Sequence, residues 1–167
     1  MNGIVKIVVI ALVMFGAYSA FNSKSPEADL VEVDTSNWVS YNFSSENVSV
    51  KFPIEPKVSN VSNQDIAMEF AQAKNAVGSF SVGVMRVNAI SEDDFYPFSL
   101  TKKGAKVNSS SPINVSGYTG KKYTLSFGEK KVYQRFINYK GLLLTQTSIV
   151  SHDNESVVKG FNDSLEL

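Results

Sequence analysis

From Trp38 onward the chain is patterned largely in steps of two. Val39, Tyr41 and Phe43 alternate with polar residues, and so do Val48, Val50 and Phe52, the signature of half-buried antiparallel strands. Ser44-Ser45-Glu46-Asn47 between them has turn chemistry, so the two runs read as a hairpin. Pro53 and Pro56 cannot donate ladder hydrogen bonds, and the second strand must end there or lie at a sheet edge. Ile66, Met68 and Phe70 then alternate with Ala67, Glu69 and Ala71, and Phe80, Val82 and Val84 alternate with Ser81, Gly83 and Met85, which predicts two more strands.

The period then changes. Ser91-Glu92-Asp93-Asp94 places a serine cap and three carboxylates at the positive end of a helix. Pro97 limits its regularity, and Gly104 sits where a C-terminal cap belongs, so a short helical segment is expected from Ser91 to about Lys103. Alternation returns in a short strand with Ile113 and Val115, a longer one with Tyr123, Leu125 and Phe127, and another with Val132, Gln134 and Phe136. LLLTQTSIV, residues 142–150, begins apolar on both faces and reads as a central strand. In the tail, Val157, Val158, Phe161 and Leu165 fall on one helical face, predicting a C-terminal helix that covers the sheet. The pattern gives an α+β fold: a central antiparallel β-sheet flanked by a short mid-chain helix and a C-terminal helix.

The first residues behave differently. After Lys6 there is no charge until Lys24, and Ile7 to Phe15 is densely apolar, the pattern of an export signal. The uncharged span is near the lower limit, about 17 residues, of a bilayer-crossing helix, so an apolar helix over residues 1–23 is expected as a signal peptide or a signal anchor. Ala17-Tyr18-Ser19 fits the small-residue cleavage rule only loosely, and Tyr18-Ser19-Ala20 puts a ring where a small side chain is wanted. Residues 24–37 are polar, contain Pro26 and suit a tether, leaving residues 38–167 as one domain. The absence of cysteine removes disulfides and a lipid-modified cysteine anchor. Seven N-x-S sequences, at Asn42, Asn47, Asn60, Asn108, Asn114, Asn154 and Asn162, are acceptor motifs in form, but the plainer reading is an Asn- and Ser-rich chain.

Three stretches together resemble a known group. Trp38 shortly precedes VSVKFPIEP, INVSGYTGKKYTLSF follows in the middle, and GFNDSLEL closes the chain. This is similar to small exported bacterial proteins with a Trp, an F-S-V-x-F-P-x-x-P start, a G-x-x-G element before a long strand and a terminal F-x-D-S-F-x-L, which look like PsbP-type domains. Val48 stands where the first aromatic is expected and Leu165 where the last Phe is expected; both keep an apolar residue. The resemblance covers residues 38–167 and implies a central antiparallel sheet flanked by helices. It implies no activity, because members of the group are mostly of unknown function.

Candidate chemistry is sparse. His152, the single histidine, lies between Ser151 and Asp153 and would be the base of a cofactor-independent hydrolase, yet sequence neighbours cannot supply triad geometry and no G-x-S-x-G elbow occurs. A loop and helix cap is the simpler account. No cysteine and one histidine exclude zinc and transition-metal sites built from soft or imidazole ligands, and Glu92-Asp93-Asp94 lacks the spacing of a calcium loop. No phosphate-binding loop or dinucleotide fingerprint is present, and Gly117-Tyr118-Thr119-Gly120 reads as a turn. No cofactor is expected.

Charge is more informative. The chain has 16 basic and 16 acidic residues, but between Pro26 and Thr101 it carries 11 acidic and four basic ones. From Lys102 to Lys140 it carries nine basic residues and only Glu129. A hairpin centred on Gly128 would bring Lys122 near Arg135 and put Lys130 and Lys131 at its turn. The candidate binding residues are therefore Lys121, Lys122, Lys130, Lys131 and Arg135, facing an anionic partner. Against this stands the reading that they are solvated strand lysines that discourage edge pairing. Adjacent lysines on a strand point to opposite faces, so only part of the set can converge.

These readings combine into a non-catalytic protein of the bacterial envelope, anchored in the inner membrane facing the periplasm or exported to the periplasm. Its expected partner is an envelope protein, a lipid headgroup or a cell-wall polymer, with membrane attachment through the N-terminal segment and no nucleic acid. A small apolar-ligand or lipid carrier, from the aromatic content, and a hydrolase using His152 are the alternatives.

Overall fold

The computed structural model describes residues 35–44, 47–62, 67–87, 90–151 and 155–167. The expected N-terminal signal or anchor helix, Ile66 and His152 lie outside the described residues. Thr35–Asn37, the end of the expected tether, forms one 3-10 turn and leads into strand β1, Val39–Asn42. Strand β2, Ser49–Phe52, pairs antiparallel with it, Val39 opposite Phe52 and Tyr41 opposite Val50. This is the hairpin that the alternation predicts, and it ends at Pro53.

Seven further strands build one antiparallel sheet: β3 (Lys57–Ser62), β4 (Ala67–Lys74), β5 (Gly78–Arg86), β6 (Lys106–Val115), β7 (Tyr118–Phe127), β8 (Lys130–Tyr139) and β9 (Leu142–Val150), in the spatial order β3-β4-β5-β9-β8-β7-β6. After β5 the chain crosses to the far edge and returns as a four-strand meander, so that its last strand, β9, closes against β5. β9 thus occupies the middle of the sheet, and all but one of its nine residues are buried. This is why its sequence is apolar on both faces.

The crossing is made by a 3-10 turn, Glu92–Phe95, and helix α1, Phe98–Lys102. The helical segment expected from Ser91 to Lys103 is thus broken in two at Pro97, whose ring cannot continue the first turn. At its start the Asp94 carboxylate accepts hydrogen bonds from the Ser91 amide at 2.8 Å and hydroxyl at 2.9 Å, the cap that the carboxylate cluster predicts. At its end Gly104 takes φ +95°, the Gly104 amide donates to Thr101 and the Ala105 amide to Leu100. This pair of bonds is a Schellman stop, which favours glycine at that position.

Helix α2, Glu155–Asp163, packs with the β1–β2 hairpin on one face of the large sheet, and α1 packs on the other. Between the hairpin, α2 and the sheet lie Trp38, Phe52, Phe80, Val157, Val158, Phe161 and Leu165, all buried. The Phe161 ring stands 5.4 Å from Phe52 and 5.3 Å from Phe80, centroid to centroid. After α2 the tail pairs with the hairpin: Ser49 and Glu166 exchange both backbone hydrogen bonds, at 3.1 and 2.9 Å. Under α1 a second cluster joins Met68, Met85, Leu100, Tyr123, Phe136 and Ile149.

Three expectations are corrected. Strand β3 has no predicted counterpart, because it is an edge strand exposed along nearly its whole length and carries no apolar alternation. Strand β6 begins at Lys106, well before Ile113, for the same reason. Gly117 is in a turn with φ +89°, but Tyr118, Thr119 and Gly120 already belong to β7, where Gly120 lies against the backbone of Phe136.

Candidate functional site

Strands β6, β7 and β8 are neighbours at one side of the sheet. They carry six basic residues, Lys106, Lys121, Lys122, Lys130, Lys131 and Arg135, and no carboxylate. Glu129 lies in the turn between β7 and β8. Charge segregated along the sequence is therefore also segregated in space, because the three strands that contain it are consecutive and pair with one another.

The pleat divides the five sequence-predicted residues between two faces. Lys122 is directly opposite Arg135, and Lys131 is opposite Ser126; with Lys106, also opposite Ser126, they stand on the face that α2 partly covers. Lys121 is opposite Phe136 and Lys130 opposite Phe127, on the face that carries α1. Lys106, Lys121 and Lys122 are exposed, whereas Lys130, Lys131 and Arg135 are half-buried. Lys122 and Lys131 stand about 13 Å apart along the strands, from four residues at strand rise.

Arg135 is held by the fold. One guanidinium nitrogen donates to the Gln146 side-chain oxygen at 3.0 Å and to the Asn162 carbonyl at 2.9 Å, receiving the last turn of α2, where carbonyls lack intrahelical partners. Burial pushes its pKa below the ordinary arginine value and the nearby Asp163 carboxylate works against that shift. On the other face Lys121 places its ammonium 5.3 Å from the centre of the Tyr123 ring, a cation–π contact. Tyr123 in turn meets Tyr96 at 5.9 Å, and Tyr96 meets the exposed Phe98 at 4.7 Å. Lys130 is close enough to Lys74 for its charge to lower the Lys74 pKa, after burial, which contributes more. Burial likewise lowers Lys103.

Among the described residues no group of three or more histidine, cysteine, aspartate or glutamate side chains could hold a metal ion, and no helix is long and apolar enough to cross a membrane. The buried carboxylate Glu69 is absorbed by structure: it accepts hydrogen bonds from the Tyr41 hydroxyl at 2.5 Å, the Ser44 amide at 3.0 Å and the Ser44 hydroxyl, tying the hairpin to β4.

One set of residues is invisible to sequence patterning. Gln72, Ser81, Thr147 and Gln134 form a row across β4, β5, β9 and β8 on the α1 face. In the sequence Gln134 sits inside an apolar alternation, and the other three lie far apart. Only the register brings them together.

No protein-family model matches the sequence, and no curated protein matches it. Among solved structures, the cyanobacterial PsbP (CyanoP) of Synechocystis sp. PCC 6803 superimposes with a TM-score of 0.55 at 14% identity, covering 85% of this chain and 99% of that one. A protein of unknown function from Pseudomonas aeruginosa reaches a TM-score of 0.38 at 16% identity, over 73% of this chain and 88% of that one. The antiparallel sheet with its few helices is thus PsbP-like in fold.

Proposed function

We propose that this is a non-catalytic binding domain of the bacterial cell envelope, attached through its N-terminal segment or exported, which docks an anionic partner on the β6–β8 wing. The observation that carries the reading is that three adjacent strands hold six basic residues and no carboxylate. Such a wing produces a positive field that attracts anionic lipid headgroups, acidic polymers or acidic proteins. Lys106, Lys122 and Lys131 share the face, while Arg135 serves α2 and supports the surface from below. A lipid-carrier reading has less behind it: among the described residues, the cavity on the α1 face measures about 20 Å³, against the roughly 300 Å³ at which ligand pockets begin.

The test separates the two faces. Sedimentation of the full chain with vesicles containing anionic phospholipid, and with envelope extract, is compared for wild type, Lys122→Glu/Lys131→Glu and Lys121→Glu/Lys130→Glu. The first pair is expected to weaken binding at least tenfold and the second pair less. Wild-type-like binding by both pairs overturns the reading.

A further inference from the structure

Most of the exposed apolar side chains gather in one place. Among the described residues the large ones left exposed are Ile54, Val58, Tyr96, Phe98 and Val107, and the last three lie on the α1 side of the β6–β8 wing. Tyr96 meets Tyr123 of β7 at 5.9 Å and Phe98 at 4.7 Å, both edge to face. Val107, on β6, is opposite Leu125, the neighbour of Tyr123 on that face of β7. Pro112, also exposed, is opposite Lys121.

Basic residues flank this patch. Lys102, the last residue of α1, and Lys121 are exposed, and the Lys121 ammonium lies 5.3 Å from the centre of the Tyr123 ring. Strand β6 is the outermost strand of the wing, so a flat surface meeting that edge also comes within reach of Lys106 and Lys122 on the other face, whose long stems carry their charge outward. Ser109 and Ser110, exposed along β6, add hydroxyl groups suited to a hydrated layer. From Glu92 to Arg135 the chain has four carboxylates, Glu92, Asp93, Asp94 and Glu129, against eight basic residues, and Asp94 is engaged with Ser91. The edge is therefore apolar at its tip and positive around it.

Size selects the kind of partner. Two rings and a valine, each 39–44% exposed, present on the order of 200 Å² of apolar area, given the 150–250 Å² of an aromatic side chain. That is far below the roughly 800 Å² that each partner brings to a stable protein interface. It suits a shallow contact that adds to another attachment, because stable anchoring takes two signals, and aromatic rings beside lysines collect at the boundary between water and lipid. We propose that Tyr96, Phe98 and Val107, with Lys102 and Lys121, form a membrane-contact patch that seats the outer edge of the wing on an anionic lipid surface, the rings entering the headgroup layer. The proposal rests on the anionic-partner reading and narrows that partner to lipid. On the α1 side the rings carry more of the contact than the lysines do, in keeping with the smaller loss expected from Lys121→Glu/Lys130→Glu.

The test uses fluorescence. Trp38, the single tryptophan, is buried, so Phe98→Trp adds one exposed reporter at the patch, and Val58→Trp adds one on β3, at the opposite edge of the sheet. Each full-length variant is mixed with vesicles of phosphatidylglycerol and phosphatidylcholine in equal parts, and with phosphatidylcholine alone, the acyl chains brominated near the headgroup. In the anionic vesicles the Phe98→Trp reporter is expected to lose about half of its emission or more, as a ring at that depth should, while the Val58→Trp reporter keeps its own. Equal quenching of the two reporters overturns the proposal, because attachment elsewhere in the chain would then account for it. So does equal quenching of Phe98→Trp by phosphatidylcholine alone, or a Phe98→Trp reporter that stays unquenched or responds only to envelope protein. If the unquenched variant still sediments with the anionic vesicles, the anionic-partner reading stands; if the wild type sediments with neither vesicles nor envelope extract, both fall.

Discussion

The side-chain amide of Gln146, in the middle of β9, donates to the carbonyl oxygen of Phe161 at 2.7 Å, and its oxygen accepts from Arg135, which also holds the Asn162 carbonyl. Two sheet residues thus receive carbonyls of the last turn of α2, where the helix has no partners of its own. Gln146 is 1% exposed, so Gln146→Leu leaves one Arg135 donor unpaired and the Phe161 carbonyl with the Ser164 hydroxyl, at 2.9 Å, as its remaining partner. The expected loss is about 2 kcal/mol, read as a lower denaturation midpoint with an unchanged slope in urea. Arg135→Lys, which keeps the charge but not the fork geometry, should lose less.

Phe161 is the packing counterpart of that polar cap. Its ring is fully buried between Phe52 and Phe80, so Phe161→Ala is expected to cost about 3–5 kcal/mol. The loss should also spread along the chain. Ser164 and Glu166 are bonded to Lys51 and Ser49 of β2, so the amides of Ser49 and Glu166 are expected to lose hydrogen-exchange protection before those of β9.

Much of this arrangement is legible in the sequence because burial writes periodicity. The hairpin, β5, β7, β8 and β9 bury one or both faces, and their apolar residues recur at strand spacing. Strands β3 and β6 are edges with both faces largely wet, so nothing selects alternation in Lys57–Ser62 or in the first half of Lys106–Val115. The candidate site is half legible for a related reason. Charge segregation is visible in a linear count, but which lysines share a face depends on strand register, which assigns Lys122 and Lys131 to one side and Lys121 and Lys130 to the other. The role of Arg135 depends on a helix 27 residues away.

Two glycines three residues apart in the sequence, Gly117 and Gly120, give a contrast. A β-carbon on Gly120 would lie 2.1 Å from the Phe136 carbonyl oxygen, a backbone atom that cannot move without breaking the β7–β8 ladder. Gly120→Ala is therefore expected to cost about 3 kcal/mol, the upper end of overpacking costs. Gly117 has open space around it but φ +89°, and Gly117→Ala should cost about 1–2 kcal/mol from the backbone conformation alone. Equal losses in thermal or chemical denaturation would show that the Phe136 contact relaxes.

The clasp formed by Tyr41, Ser44 and Glu69 makes stability depend on pH at both extremes. Burial pushes the Glu69 pKa up, but hydrogen bonds from Ser44 and Tyr41 outweigh it and hold the carboxyl below its ordinary value of 4.5. A carboxyl depressed in the folded state contributes stability that is present above the unfolded pKa and lost as pH falls through the folded one. Tyr41 is shifted the other way, from 10.0 up to about 12, by burial first and then by its bond to Glu69 and the charge on it. Its contribution is complete below pH 10 and disappears as the pH rises to about 12. Urea midpoints measured across the pH range are expected to show Glu69→Gln destabilising at neutral pH and converging on wild type below pH 4.5. Tyr41→Phe is expected to remove the decline between pH 10 and 12. A Glu69→Gln deficit that stays constant down to pH 3 would mean that the clasp works through shape and neutral hydrogen bonding, with no part played by the carboxylate charge.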